Sequence, residues 1–266
     1  MAIEEDMIRH MILNSIRMYN KRYRAEYGQV VIACDSSTWR RDYFPEYKHS
    51  RRKNREEGES TIDWTKLFEI ISKVHDEITE YLPYKVLQVN KAEADDIVGV
   101  LAEYTQEFGK HEPVMIVSSD KDFKQLQKWN NIKQFSPMLK KEMVEKNAKL
   151  FLYEHIFKGD SGDGVPNVLS PDNTFVDGIR QRPVTQKKMD EWIANIDKIE
   201  SVLDQETYRN FIRNKKLIDL SETPDDVKLE IINKYENTKV AHKSRVLNYL
   251  IAKRCKMLIE SIGDFY

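Results

Sequence analysis

Acidic residues follow two short apolar segments of this chain. Asp35 comes directly after residues 30–34, and Asp120 and Asp122 come after residues 114–117 and two serines. In open α/β sheets the ligand-binding crevice lies outside the carboxyl ends of the strands. If both apolar segments are strands of one sheet, their carboxylates meet at one edge of that sheet.

Two further acidic segments lie along the chain. The segment KAEADDI carries Glu93, Asp95 and Asp96 at a predicted helix start, and the glycine-rich segment GDSGDG carries Asp160 and Asp163. An acid in the first turn of a helix also complements the helix dipole. This effect explains one or two of these acids without any role in binding a metal ion. Asp96 is the residue most readily assigned to helix capping or to support of a neighbouring ligand.

The set of acids has the composition of a divalent-metal site. Carboxylate oxygens without His or Cys ligands select Mg²⁺ or Mn²⁺ over zinc, and clustered like charges repel unless cations offset them. Two such ions, about 3.5–4 Å apart, suit in-line attack of water on a phosphodiester. A single Asp in a turn is explained as well by a cap or an Asx turn, whereas four groups of acids at strand ends favour the metal site.

Basic and aromatic residues are interleaved in the segment that follows Asp35. Such cations bind phosphates and such rings stack on bases, although Asp42 and Glu46 dilute the charge and a solvated helix would carry the same pattern. The position beside the acids favours nucleic-acid binding. The predicted cations are Arg40, Arg41, Lys48, Arg51 and Arg52, and the rings are Trp39, Tyr43, Phe44 and Tyr47.

Two more basic regions lie in the C-terminal half. Arg180, Arg182, Lys187 and Lys188 follow the glycine-rich acidic segment, and residues 239–256 contain six Lys or Arg and no acid. Both regions suit the backbone of a duplex, although neither is specific by itself.

We assign structural roles to five histidines and to the methionines of the first predicted helix. His10, His75, His111, His155 and His242 show no ligand-like spacing, and we interpret them as surface residues or as core residues with satisfied hydrogen bonds. The methionines of the first predicted helix are interpreted as core packing.

Hydrophobic periodicity predicts the elements that position these residues. Short apolar runs predict strands of a parallel sheet, and Gly28 is expected to end the first helix. The alternation of strands and helices predicts an α/β sheet, and it stops near residue 149. The predicted strands are residues 30–34, 86–89, 114–117 and 132–135, and the predicted helices are residues 6–27, 64–81, 92–108, 150–157, a shorter one after Lys121, and much of 185–266.

Composition limits the class of protein. The 266 residues include 43 Lys and Arg against 44 Asp and Glu, and 40% are hydrophobic, which excludes collagen-like, low-complexity and largely disordered chains. No apolar run approaches the roughly 20 residues that cross a bilayer, and the start lacks a signal sequence. Cys34 and Cys255 are too few for a disulfide framework or a structural zinc site. We therefore expect a cytosolic protein without a membrane partner.

Five segments together carry a family resemblance. They are MIRHMILNSI at 7–16, WRRD at 39–42, EADD at 93–96, SSDKDF at 118–123, and Gly159-Asp160 with Asp163. On these motifs the chain resembles the 5′ nuclease (flap endonuclease) family, and within it the RNase H group of T-even-type bacteriophages. The resemblance implies a central, mostly parallel sheet flanked by helices, a PIN/5′-nuclease-like α/β fold. It also implies a nuclease domain over residues 1–148 with a basic arch at 39–58, and a helical duplex-binding subdomain over 149–266.

The resemblance implies a function as well. Such enzymes remove RNA primers from lagging-strand fragments during phage DNA replication. They act as 5′→3′ exonucleases on RNA–DNA and DNA–DNA duplexes and as endonucleases on 5′ flaps and forks. Their implied partners are a single-strand DNA-binding protein and a sliding clamp, and we expect a Mg²⁺-dependent monomer in the host cytoplasm, with two ions that Mn²⁺ can replace.

Matching positions imply residue roles. The arch cations Lys48 and Arg52 are implied to grip the 5′ strand and polarise the scissile phosphate, and the helical part after Asp163 is implied to hold the downstream duplex. Asp35, Glu93, Asp95 and Asp120 are implied to serve the first ion, with Asp122, Asp160 and Asp163 around the second. The implied catalytic set is Asp35, Asp95, Asp120, Asp122 and Lys48.

Two departures from the family pattern modify these expectations. Family members begin with a strand that carries another metal-ligand Asp, whereas this chain starts at the following helix. An exposed strand edge would follow, so we expect weakened stability and reduced or absent activity. The segment after Asp163 also lacks a longer glycine-rich run, which argues against a monovalent-ion duplex clamp. The alternatives are a protein that binds branched DNA without cutting it, and a small RNase that acts on single-stranded RNA.

Overall fold

Strands and helices alternate along the first part of the computed structural model, which describes residues 4–51, 53, 63–107 and 110–266. The described residues divide into two compact units. The first unit takes its residues from Met1–Asp35, Glu59–Val89 and Glu230–Tyr266, and the second from Ser36–Gly58 and Asn90–Leu229.

The element order confirms the predicted α/β class and the helical C-terminal part. In chain order the strands and α-helices are α1 (Glu5–Tyr27), β1 (Val31–Cys34), α2 (Arg40–Tyr43), α3 (Trp64–Tyr81), β2 (Lys85–Gln88), α4 (Ala94–Tyr104), β3 (Val114–Val117), β4 (Ile132–Ser136), β5 (Lys141–Glu142), α5 (Ala148–Lys158), α6 (Gln186–Ala194), α7 (Ile199–Val202), α8 (Gln205–Ile218), α9 (Asp225–Asn237), α10 (Ser244–Ala252) and α11 (Lys256–Ile259). Short 3₁₀ helices span Lys121–Lys128, Ser161–Asp163, Ile196–Lys198, Leu220–Glu222 and Ile262–Phe265. The helix predicted after Lys121 is therefore of the 3₁₀ type.

In the first unit, α1, α3 and the C-terminal helices pack around a parallel pair of strands. β1 pairs with β2, with Val31 opposite Lys85. Gly28 ends α1 as predicted, because its φ of +76° is a conformation that glycine adopts at little cost. The core of this unit includes Leu13, Val74, Leu82, Val246, Leu250 and Phe265.

The interpretation of the α1 methionines as core packing is wrong. Met7, Met11 and Met18 are all about half exposed. The buried residues of this helix are instead Leu13 and the two polar residues Arg9 and Asn20. The spacing of apolar residues does not identify the buried face of a helix when a charged residue lies on that face.

In the second unit, β3 pairs in parallel with β4, and β5 adds an antiparallel edge. Within the described ranges the strands thus form two sheets, β1–β2 and β3–β4–β5, where the sequence predicted one. Ile116, Phe123, Leu126 and Ile132 form one core beside this sheet. Phe157, Met189, Trp192 and Phe211 belong to a second core among the helices.

Each compact unit is built from separated stretches of the chain, and the predicted division at residues 148 and 149 stays a prediction. The C-terminal residues Val246, Leu250 and Phe265 share a core with Leu13 of α1, so the two ends of the chain lie in the same unit. None of the helices in the described ranges is both long and apolar enough to span a bilayer.

Candidate active site

The start of α4 places two buried acids of the second unit. Glu93 is the N-cap residue, and Asp96 accepts a hydrogen bond from the Glu93 backbone N–H at 2.9 Å, which completes a capping box. Asp96 is fully buried and also accepts from Trp39 Nε1 and Thr223 Oγ1. The structure therefore agrees with the interpretation of Asp96 as a capping residue.

Arg40 neutralises these two acids. Its guanidinium donates to Glu93 Oε2 at 3.0 Å, to Asp96 Oδ2 at 2.9 Å and to the backbone oxygen of Leu217 at 2.9 Å. Only 2% of the residue is exposed. The prediction that Arg40 binds nucleic acid is wrong, because its donors are committed to buried partners.

Lys48 links Glu93 to the glycine-rich turn. Its Nζ lies 2.6 Å from Glu93 Oε1 and 3.6 Å from Asp163 Oδ2. Tyr47 Oη lies within hydrogen-bond distance of both carboxylates, 3.1 Å from Glu93 Oε2 and 2.9 Å from Asp163 Oδ2, and its single proton is available to either one. Burial raises the pKa of Glu93, but the charges of Lys48 and Arg40 outweigh it and the pKa is lowered. Burial likewise disfavours the Lys48 ammonium, yet Asp163 and Glu93 leave its pKa raised. Glu93 is therefore a charged carboxylate held by cations of this chain.

Asp95, Asp120 and Asp122 form a group in which negative charge dominates. Burial and the neighbouring Asp120 raise the pKa of Asp95 to about 7. Burial also raises the pKa of Asp122 to about 6, which His155 partly offsets and Asp120 and Asp160 reinforce. Asp120 itself is exposed and accepts from the backbone N–H of Asp122 at 2.9 Å. A cation among these groups would remove the repulsion.

Asp160 is held in place by a turn that requires glycine. Gly159 has a φ of +68°, and a Cβ there would lie 2.4 Å from the backbone oxygen of Val165. Asp160 pairs with Val165 in an isolated bridge, and its Oδ1 accepts from the N–H of Asp163 at 3.2 Å. Burial raises the pKa of Asp160, but hydrogen bonds from His155 and Lys121 leave it well below its usual range.

His155 lies inside the acidic cluster, so its interpretation as a surface or satisfied core residue is wrong. Its Nε2 is 3.0 Å from Asp160 Oδ2, and its Nδ1 is 3.4 Å from Asp122 Oδ1. Within the described residues, neither Nδ1 nor that oxygen has a hydrogen-bond partner. A signal was present in the sequence, because His155 lies on the last turn of α5, five residues before Asp160.

Most of the predicted acids therefore meet in one part of the second unit. Asp95, Asp122, Asp160 and Asp163 line one cleft. Glu93 joins it through Lys48, and Asp120 through the Asp122 backbone. Asp35 belongs to the first unit, where its backbone oxygen accepts from Gln88, and its assignment as a ligand stays a prediction.

The predicted cations differ in their contacts. The half-exposed Arg51 donates to the backbone oxygen of Gly162 and pairs with Asp163 at 2.5 Å. Arg52 and residues 54–58 of the predicted arch lie outside the described residues. Besides Arg51, the predicted cations with exposed side chains in the described part of the chain are Arg41, Arg180, Arg182, Lys187 and Lys188.

The donor set fits a divalent cation. It consists of carboxylate oxygens with one imidazole, and two of its buried atoms, Asp122 Oδ1 and His155 Nδ1, lack a described hydrogen-bond partner. The carboxyl groups of Asp95 and Asp122 have raised pKa values because burial and like charges disfavour ionisation. Both features are those of a site that a metal ion would complete.

Comparisons with known proteins identify the family. Residues 5–153 match the model of the 5′-3′ exonuclease N-terminal resolvase-like domain, and residues 147–265 match that of the T4 RNase H C-terminal region. Ribonuclease H of Enterobacteria phage T4 is 36% identical over 273 aligned positions, which span 99% of this chain and 88% of the T4 protein.

Solved structures agree on the fold. A phage T5 protein co-crystallised with metal ions has a TM-score of 0.59 at 19% identity, over 86% of this chain and 92% of that one. A phage T5 flap endonuclease in complex with DNA and metal ions has a TM-score of 0.57 at 18% identity, over 86% and 91%. The resemblance inferred from the motifs is confirmed: this chain belongs to the 5′-3′ exonuclease (5′ nuclease) family of phosphodiester hydrolases and is a homologue of phage ribonuclease H.

Proposed function

We propose that this protein is a divalent-metal-dependent, structure-specific 5′ nuclease. It cuts phosphodiester bonds in RNA–DNA and DNA–DNA duplexes and at 5′ flaps and forks, and it removes RNA primers from lagging-strand fragments in phage DNA replication in the host cytoplasm. The observation that supports this most is the excess of carboxylate over cationic charge in the cleft lined by Asp95, Asp122, Asp160 and Asp163.

Mg²⁺ is the proposed physiological metal, with Mn²⁺ as a substitute. The proposed ligands are Asp35, Glu93, Asp95 and Asp120 for one ion, with Asp122, Asp160 and Asp163 around the other. When bound, such ions supply the Lewis acidity that activates water and offsets charge on the leaving oxygen of a phosphodiester.

Basic side chains at the cleft are proposed to orient the nucleic acid. Lys48 is already positioned by Glu93 and Asp163, so its ammonium needs little reorganisation to meet a phosphate. Arg51 is half exposed beside the same acid. We assign engagement of the 5′ strand to these two residues and to Arg52.

Duplex binding is assigned to the helical segment 149–266. Its exposed cations Arg180, Arg182, Lys187 and Lys188 would contact phosphates without reading sequence. A single-strand DNA-binding protein and a sliding clamp are proposed partners on the strength of the family resemblance alone.

The test is cleavage of a 5′-labelled flap duplex and of an RNA–DNA duplex with and without Mg²⁺. The wild-type protein should release 5′ fragments only with the metal, and Asp120→Asn should lower the rate at least about 100-fold, since even residues that only support metal ligands cost 10–100-fold when changed. Asp197→Asn, at an exposed position of the same unit, is the matched control and should cleave normally.

Two results would contradict the proposal. A mobility shift of the flap duplex without cleavage would show a protein that binds branched DNA and does not cut it. Equal cleavage of single-stranded RNA would show that duplex structure is not recognised.

A further inference from the structure

His155 makes two different contacts with its two ring nitrogens. The residue is 7% exposed. Its Nε2 lies 3.0 Å from Asp160 Oδ2, and the same oxygen lies 2.8 Å from Lys121 Nζ. Its Nδ1 faces Asp122 Oδ1 at 3.4 Å. One nitrogen is therefore paired, and the other is buried with no hydrogen-bond partner in the described part of the chain.

The pairing of Nε2 determines what Nδ1 offers. A neutral imidazole that donates Nε2–H to a carboxylate presents a lone pair at Nδ1. A carboxylate oxygen opposite that lone pair places two acceptors against each other. Such a buried arrangement is unfavourable unless a cation or a proton lies between them.

The spacing suits a metal ion. Two adjacent ligand atoms that are each about 2.0–2.2 Å from one ion lie about 2.8–3.1 Å apart in octahedral geometry and about 3.3–3.6 Å apart in tetrahedral geometry. Asp122, His155 and Asp160 each offer an atom such that all three lie within 4.8 Å of one another. A histidine that binds a metal through one nitrogen commonly donates its other N–H to a carboxylate, which orients the ring. Asp160 is the carboxylate that lies within hydrogen-bond distance of the other ring nitrogen, Nε2.

We infer that His155 Nδ1 and Asp122 Oδ1 are ligands of one divalent cation, and that Asp160 is the positioning residue that orients the imidazole. This inference rests on the proposed function. It adds an imidazole nitrogen to the all-oxygen ligand set proposed for the second ion, and it reassigns Asp160 from a ligand in that set to the residue that orients the ring. An imidazole ligand favours borderline transition metals over Mg²⁺. The site therefore binds Mn²⁺, Co²⁺ or Zn²⁺ more tightly than Mg²⁺.

The competing explanation is a proton in the same place. A doubly protonated His155 would donate to both Asp122 and Asp160, and the three residues would form an ion-paired network that needs no metal. Direct detection of nitrogen coordination separates the two explanations.

The test uses the full chain and Mn²⁺ as the probe. Loss of the free Mn²⁺ signal in electron paramagnetic resonance gives stoichiometry and affinity, and electron spin echo modulation reports ¹⁴N bound to the ion. The wild-type protein should show this modulation, and ¹⁵N-histidine labelling should change it. His155→Asn should abolish it and weaken Mn²⁺ binding about tenfold or more, with a smaller effect on Mg²⁺. His242→Asn, at an exposed histidine, is the matched control.

Asp160 is tested by a pair of variants. Asp160→Asn keeps an oxygen that accepts from His155 Nε2, so it should retain the nitrogen modulation and much of the Mn²⁺ affinity, whereas Asp160→Ala should lose affinity. If Asp160 were itself the ligand, the two variants would lose similar affinity.

The outcomes separate the inference from the proposed function. Mn²⁺ that binds the wild-type protein without nitrogen modulation overturns the role of His155 and leaves a metal-dependent nuclease possible. The wild-type measurement decides this even if His155→Asn fails to fold. An absence of both Mn²⁺ binding and cleavage would instead contradict the proposed function.

Discussion

Two buried ionic clusters, one in each unit, show opposite charge balance. In the first unit, Glu77 accepts from Arg9 Nε at 2.7 Å, from Tyr249 Oη at 2.8 Å and from Lys253. Burial raises the pKa of Glu77, but these donors outweigh it and bring the pKa to about 2. This carboxylate is fully satisfied by the chain itself.

In the second unit, Asp95 and Asp122 lie among other acids, and their pKa values are raised to about 7 and about 6. Burial acts in the same direction on Glu77 and on these two residues. The number of donors around each carboxylate makes the difference. A buried acid with enough donors stabilises the fold, whereas buried acids short of donors are suited to bind a cation.

The largest effect is expected on stability, from Glu77→Gln. Removing this charge leaves Arg9 and Lys253 without their shared carboxylate, so the free energy of unfolding should fall by about 3–5 kcal/mol. Urea denaturation measures it. Glu69→Gln, at an exposed position of the same helix, should change stability by less than about 0.5 kcal/mol. A fall as small as that of the control would mean that the cluster around Glu77 contributes nothing.

Asp122→Asn should lower the rate of cleavage without lowering stability, the reverse of what Glu77→Gln tests. We expect flap cleavage to fall at least about 100-fold, equivalent to about 2.7 kcal/mol of barrier, while thermal stability without metal stays equal or rises, because one charge leaves a repulsive group. Cleavage kinetics and thermal unfolding are measured on the same preparation. A destabilisation comparable to that of Glu77→Gln would show that the two clusters do not differ in kind.

Divalent metal should stabilise the protein through the second cluster only. At ten times its dissociation constant, an ion that binds only the folded state adds about 1.4 kcal/mol. Thermal unfolding with and without Mg²⁺ should show this increment in wild type and in Glu77→Gln, provided the latter still folds. The increment should be reduced in Asp122→Asn, and an equal increment in all three proteins would place the metal elsewhere.

The smallest effect is the acid dependence contributed by Glu77. Its folded pKa is below its unfolded value near 4.5, so its contribution is complete above that value and is lost as the pH falls toward about 2. Between pH 6 and pH 4 the loss from this group should be at most about 1 kcal/mol. Urea titrations across this range should show a smaller slope in Glu77→Gln, and identical slopes would refute the assignment.

The local sequence pattern was sufficient to predict the strands, most of the helices and part of the candidate active site. The four predicted strands are present, and α3 spans the predicted residues. Asp96 caps α4, as its position at the predicted helix start suggested. These features depend on neighbours in the sequence, so periodicity and helix-start chemistry predict them.

Side-chain burial was less predictable. Arg40 belongs to a basic run yet is buried, and the α1 methionines belong to an apolar run yet are exposed. Burial depends on which distant residues pack against a position, such as Leu217 at Arg40. Composition of the local segment carries little of that information.

The amino-acid sequence by itself determined the α/β class, the family and the acidic character of the candidate site, because these follow from short-range periodicity and from motifs of adjacent residues. Only the tertiary structure decided that His155 lies between Asp122 and Asp160, that Arg40 donates hydrogen bonds to buried acids, and that residues near both ends of the chain share one core. The reason is that the balance of charge and hydrogen bonds around a buried group is set by residues far apart in sequence, which only folding brings together.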